Sequence, residues 1–354
     1  MNTMNNGIRL GLWILASPRC GVPAPPALQF PHSPTLALPR SPALPLHPFA
    51  SVRPGVSPWI ALLCACLLAA GPACRRQSAP EPGPGRTVVD QLLRPVYLPH
   101  RPIRIVSMAP SVTEMLYALG AWDRVVGVTL YDVYPADVAT RTRIGDMLRP
   151  NLEMVLSLKP DLVVATFNGN YRENVERFQT FGIPVFILSA SRLEEIFRSL
   201  ELLGEAVDER AAGAAVVADM RRRIDDLQQR LARESRKTAL YLTWIDPVMV
   251  PGRDSFETEA LALAGVDSLT RDLLAERYSR FSLEQVIRLK PEYILTVEHN
   301  AQGVRTVLAS PQWAMLPAIR KRQVYVVSDL IQHPSQRIVD GIEEVARRLH
   351  PEAF

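Results

Sequence analysis

The sequence predicts an α/β protein built from two Rossmann-like lobes, each with a central, mostly parallel sheet, joined by one long α-helix. Three observations carry that expectation. A nine-residue unit occurs twice, 131 positions apart; strand and helix patterns alternate quickly from residue 103 onward; and residues 205–236 form one amphipathic stretch.

The duplicated unit is the strongest internal signal. Residues 152–160 (LEMVLSLKP) and 283–291 (LEQVIRLKP) agree at six of nine positions, and an acidic residue follows each, Asp161 and Glu292. Both copies then run into a β-rich segment, 162–166 (LVVAT) and 293–297 (YILTV). Leu152, Val155, Leu156 and Leu158 place an apolar face on a short helix. Proline disfavours helical geometry at the residue before it, so the helix ends at the Lys-Pro step and the chain turns into a buried strand. A period this long is a whole domain, not the 20–50 residues of a solenoid repeat.

Ahead of the first copy, residues 103–107 read as a strand. Ser111 with Glu114 three residues on has the form of a capping box for a helix over 112–119 that stops at Gly120. Residues 125–129 form the next strand, and this rapid alternation argues for a parallel sheet. Between the copies, Val216, Met220, Ile224, Leu227 and Leu231 recur at helical spacing within 205–236. A helix of about 30 residues is roughly 45 Å long and acts as a stiff strut. The second half opens with a strand over 238–244, continues with helices near 257–264 and 283–288 and a strand over 323–328, and closes with a helix over 336–349.

Composition separates this body from what precedes it. The chain has 354 residues and a formal charge of +4. The first 74 residues hold Arg9, Arg19, Arg40 and Arg53 and no acidic residue, so the remaining 36 basic residues balance the 36 acidic ones. The basic excess belongs to the leader and is no argument for nucleic-acid binding. All four cysteines, Cys20, Cys64, Cys66 and Cys74, also lie there. The body therefore has no disulfide framework and no cysteine-based metal site or nucleophile.

Residues 1–51 are a Pro-rich leader that buries too little apolar surface to order itself. Residues 59–70 form an uncharged apolar run, too short to span a bilayer and suited to the core of a secretory signal. Small residues then precede Cys74, as at a lipoprotein cleavage site, where Cys74 is the lipidated residue. A signal over 52–74 predicts that translation starts near Val52; the alternative is a genuine Pro-rich extension before a membrane-anchoring segment. Residues 75–100 are expected to be a tether, 101–204 the N-terminal lobe, 205–236 the linking helix and 237–354 the C-terminal lobe.

Residues 104–120 (RIVSMAPSVTEMLYALG), the two LE…LKP units and 250–254 (VPGRD) resemble the helical-backbone, or class III, periplasmic binding proteins. These serve ABC importers of cobalamin, iron–siderophores and haem. The resemblance covers about residues 101–350. Residues 107–114, 125–129, 131–135 (YDVYP) and 167–170 (FNGN) are most similar to the vitamin B12-binding branch, with its usual Asp-Tyr-Pro stretched by Val133. The resemblance implies two lobes with limited closure, a corrinoid ligand, permease and ATPase partners, a monomer in the periplasm or at the cell surface, and no cofactor. It also implies that Glu153 and Glu284, one per lobe, dock on permease arginines. The alternative is that each simply complements a helix dipole, worth about 0.3–1 kcal/mol.

A flat, amide-rimmed ligand needs aromatic faces and a few polar groups. The candidates are Tyr131, Tyr134 and Phe167 in the first lobe and Trp244, Tyr278 and Phe281 in the second, each of which core packing would also explain. Asp329 and Arg337 bracket the last loop and offer hydrogen bonds to ligand amides. His299 and His333 keep a haem or siderophore alternative open, but neither has a second ligand at short spacing, so no metal site is expected. Nucleophile-elbow, P-loop, dinucleotide and zinc-protease motifs are absent, which argues against enzyme readings; the alternative from another class is an exported enzyme or scaffold on the same fold.

Overall fold

The structure, a computed structural model, describes residues 85–167 and 171–354. The leader, the signal, Cys74 and residues 168–170 lie outside the described residues. In chain order the strands are β1 (Gly85–Val89), β2 (Pro95–Pro99), β3 (Ile105–Ser107), β4 (Val125–Val128), β5 (Thr142–Arg143), β6 (Leu162–Thr166) and β7 (Val185–Leu188). The second half adds β8 (Lys237–Leu242), β9 (Trp244–Ile245), β10 (Val248–Pro251), β11 (Val266–Ser268), β12 (Tyr278–Arg280), β13 (Tyr293–Val297) and β14 (Val324–Val327). The helices are α1 (Pro110–Ala118), α2 (Leu152–Ser157), α3 (Tyr171–Thr180), α4 (Leu193–Ala206), α5 (Arg210–Leu231), α6 (Phe256–Leu263), α7 (Leu283–Leu289), α8 (Ala301–Ala309), α9 (Pro317–Arg320) and α10 (Ile338–Leu349).

Each lobe has its own parallel sheet. The first has the order β5-β4-β3-β6-β7 and the second β11-β8-β13-β14. Within these sheets every paired neighbour is parallel. A small antiparallel sheet, β12-β10-β9, flanks the second lobe. The expected α/β class with two facing parallel sheets is what the chain adopts.

The repeat is structural as well as sequential. Helix α2 is capped by Asn151 and α7 by Ser282, each accepting from the backbone N–H three residues on. Both helices end at the Lys-Pro step, where Lys159 and Lys290 take left-handed conformations, φ 47° and 46°. Strands β6 and β13 then enter the middle of their sheets, between β3 and β7 and between β8 and β14.

Three expectations are corrected. Residues 85–99 are not a tether: β1 and β2 pair as an antiparallel hairpin. Alternation turns Val88, Val96 and Leu98 into the core, and the Arg86 guanidinium donates to the carbonyls of Glu205 and Ala206. The strut over 205–236 is shorter, because α4 ends at Ala206 and α5 begins at Arg210. Asp208 turns the chain in a left-handed conformation, φ 62°, which Asp tolerates. The two helices lie close enough that a Cβ on Gly213 would stand 2.9 Å from the Leu200 carbonyl. At 22 residues α5 is about 33 Å long. Finally, Ser111 does not cap α1. Ala109 holds that position with Pro110 at the first turn, where its missing N–H costs nothing, and no side chain caps the helix.

One apolar cluster runs through both lobes, from Val112 and Leu116 through Leu203 and Met220 to Ile342 and Leu349. Helices α4, α5 and α10 therefore bury a shared core behind the sheets. Separate clusters fill the far side of each lobe. Among the described residues no helix is long and apolar enough to cross a membrane.

Candidate ligand-binding cleft

A cavity of about 240 Å³ opens where the lobes face each other. The first lobe contributes the start of α1 (Ser111, Val112, Met115), the loop residue Met147 and the strand ends Thr166 and Leu188. The second lobe contributes Gln332, His333 and Pro334, just past β14. The cavity thus lies at the carboxyl ends of parallel strands, the place where open α/β sheets leave a crevice for ligands. Its wall is mostly apolar, with hydroxyl, amide and imidazole groups at the edge.

Glu114 bridges the lobes beside this cavity. It sits in α1, yet it is only 2% exposed and its carboxylate faces the second lobe. Nδ1 of His333 stands 2.9 Å from Oε1, Arg337 donates to Oε1 at 3.2 Å and the Ser335 hydroxyl donates to Oε2 at 2.5 Å. The Gln336 amide donates to the Glu114 carbonyl at 3.1 Å. Burial alone raises the carboxyl pKa, but the hydrogen bond and charge of His333, with Ser335 and Arg337, outweigh it and hold Glu114 below the ordinary glutamate value. The guanidinium of Arg337 also lies 4.2 Å over the ring of Tyr134. Asp132 fixes the loop that carries Tyr134, accepting from the Thr129 N–H at 2.9 Å and hydroxyl at 2.5 Å.

A second group gathers in the second lobe. Asp329 accepts from His299, with Nδ1 at 2.8 Å and the backbone N–H at 3.2 Å. The half-exposed Trp244 ring lies 5.1 Å from the His299 ring, tilted by 33°, and its Nε1 donates to the Asp246 carbonyl. In a third group the Tyr278 hydroxyl donates to Glu257 at 2.6 Å. Burial pushes Glu257 up to about 7, although Tyr278 and Ser255 stabilise the charged form. Burial and the neighbouring Glu257 push Tyr278 up. Glu257 Oε2 and the Tyr241 hydroxyl are buried without a hydrogen-bond partner among the described residues.

The structure therefore brings Tyr134 together with Arg337, while Trp244 and Asp329 each contact His299. Tyr278 turns to Glu257 instead, and Tyr131 is exposed with its hydroxyl on Asp146 at 2.8 Å. Phe167 follows β6 and is 38% exposed. Phe281 is corrected: it is buried among Leu242, Val250 and Val286, so it packs the second-lobe core and offers no face to the cleft. Glu153 and Glu284 are both exposed, with Glu284 paired to Arg288 at 2.6 Å. Residue types alone missed Glu114, Ser335 and Gln336. The signal for Glu114 was ambiguous, since a glutamate three residues after a serine also reads as a cap.

Comparison with known proteins decides what this two-lobed frame is. The sequence profile described as periplasmic binding protein matches residues 105–330. The chain belongs to the periplasmic binding protein family. It is 30% identical over 312 residues to the ABC transporter substrate-binding lipoprotein YvrC of Bacillus subtilis, covering 84% of this chain and 97% of the relative. It is 29% identical over 248 residues to a vitamin B12-binding protein of Vibrio cholerae, covering 70% and 88%. Among solved structures, the periplasmic vitamin B12-binding protein BtuF of Vibrio cholerae superposes with a TM-score of 0.61 at 27% identity, covering 71% and 98%. The haem-binding protein RhuT of Roseiflexus superposes at 0.65 with 24% identity, covering 71% and 99%, and shares the fold. This binding protein is thus a member of the substrate-binding group that serves ABC transporters.

Proposed function

We propose that this binding protein captures cobalamin or a related corrinoid in the interlobe cleft and delivers it to an ABC importer. The observation that carries this reading is the cavity at the strand ends, apolar on the first lobe and rimmed by Gln332, His333 and Ser111. A corrin presents a flat apolar ring edged with amides, which such a wall and rim complement. In this reading Tyr134, beside Arg337, and Trp244, beside His299, supply aromatic faces for the ligand, with Asp329 as a hydrogen-bond acceptor. The vitamin B12-binding relatives point the same way. Titration of the purified protein with cyanocobalamin in a calorimeter tests it: saturable one-to-one binding is expected, and no heat at roughly tens of micromolar overturns it.

Export and anchoring belong to the same reading. The signal over 52–74 sends the chain across the membrane, Cys74 carries the lipid, and the body works as a monomer at the periplasmic or cell surface without a cofactor. Glu153 and Glu284 meet the permease, and residues 101–204 and 237–354 act as the two lobes. A second reading, haem capture, rests on one observation. The carboxylate of Asp329 holds Nδ1 of His299, which leaves Nε2 available as a metal ligand. A Soret band that appears with haem and is lost in His299→Ala supports this second reading over the first.

A further inference from the structure

Away from the cleft, one cluster of metal-ligating side chains takes no part in ligand capture. His350 follows the last turn of α10, Glu234 lies in the turn that leaves α5, and Glu352 sits in the short 3-10 turn Pro351–Ala353. One ligand atom from each lies within 4.8 Å of the other two. His350 is fully buried. Its Nε2 is 3.2 Å from the Gly265 carbonyl oxygen. A carbonyl only accepts, so Nε2 is the donor, and in the neutral ring Nδ1 keeps a lone pair. That Nδ1 is buried with no hydrogen-bond partner among the described residues. A ring whose N–H is held by a backbone carbonyl, with the other nitrogen free, is the arrangement that orients metal-ligating histidines. Gly265 makes room for it: a Cβ there would stand 2.7 Å from Nε2.

We propose that His350, Glu234 and Glu352 bind one divalent transition-metal ion of the zinc class. One imidazole nitrogen with two carboxylates suits such an ion, whereas calcium and magnesium select all-oxygen sites. The dication balances the two carboxylates and satisfies the buried Nδ1 lone pair. Glu352 is exposed and Glu234 half-buried, so the ion enters from solvent. The ion clamps the end of the lobe-connecting helix α5 to the end of α10, which stiffens the second lobe at the foot of the strut and leaves the cleft untouched.

The test uses the full chain, stripped with a chelator and titrated calorimetrically with zinc ions alone, with magnesium ions as the control. One zinc per chain and a raised thermal midpoint are expected, with no response to magnesium. His350→Ala removes a buried side chain and risks the fold, so the double variant Glu234→Gln with Glu352→Gln carries the test. Both carboxylates are off the core, and circular dichroism is expected to stay unchanged while zinc affinity falls at least about tenfold, or 1.4 kcal/mol. Absence of zinc binding, equal binding of magnesium, or zinc binding that survives the double variant overturns the site.

Discussion

The carboxylate of Glu114 and Nδ1 of His333 stand 2.9 Å apart although 219 residues separate them in the chain. One belongs to the first helix of the first lobe and the other to the loop after the last strand of the second. Their contact ties the lobes beside the cavity, and Arg337 joins it while covering Tyr134. This bridge and the apolar core shared by α4, α5 and α10 both hold the two lobes together.

Glu114→Ala is expected to destabilise the protein by roughly 1–3 kcal/mol, since it strands partly buried His333 and Arg337 without their acceptor. Denaturant unfolding measures the loss. Because the folded pKa of Glu114 lies below its unfolded value, its contribution is present above that unfolded value, about 4.5. It is lost as pH falls through the folded value. The alanine variant therefore loses its deficit relative to the parent under acid conditions.

Glu257 gives the opposite slope. Its folded pKa is raised from 4.5 to about 7, so the folded state holds a proton that the unfolded state releases between those values. Stability falls as pH rises through that window, by at most roughly 3 kcal/mol from this group. Glu257→Gln keeps the hydrogen-bonding shape without the ionisation, and its thermal midpoint is expected to exceed the parent's at pH 8 and to match it near pH 4. An unchanged difference across that range removes Glu257 from the account.

Trp244→Ala and Arg337→Ala are each expected to weaken cyanocobalamin binding about tenfold or more, by removing an aromatic face or the cation that covers Tyr134. Phe281→Leu, a core change, is expected to lower stability by about 1 kcal/mol with affinity unchanged. Calorimetry and thermal melts on the same preparations separate the two effects.

Glu153→Ala combined with Glu284→Ala is expected to leave ligand affinity intact and abolish uptake. Transport at the parental rate in cells carrying the double variant refutes the docking role.

Gly213→Ala tests the tight crossing of α4 and α5. The added methyl would meet the Leu200 carbonyl at 2.9 Å, so a loss of about 1–3 kcal/mol is expected despite alanine's better helix propensity.

The amino-acid sequence by itself determined the class of the protein. The duplicated Leu-Glu…Lys-Pro unit specifies a short helix, its stop at the Lys-Pro step and a buried strand, because each of those is a local consequence of neighbouring residues; the left-handed turn at Lys159 and Lys290 came from the structure. Periodicity likewise placed the linking helix, though not its ends: it stops at Leu231, and the turn at Asp208 that precedes it depends on how α4 packs against α5. The hairpin over 85–99 was hidden for the same reason, as five-residue strands gain their stability from the core they cover. The interlobe bridge was beyond local reading altogether. Glu114 has the same sequence neighbours whether it caps α1 or reaches His333, and only the facing of the two sheets brings Ser335, Arg337 and His333 to it. Tertiary structure also sorted the aromatics, setting Tyr134 under Arg337, Trp244 beside His299 and Phe281 in the core, because burial depends on what the other lobe and sheet supply.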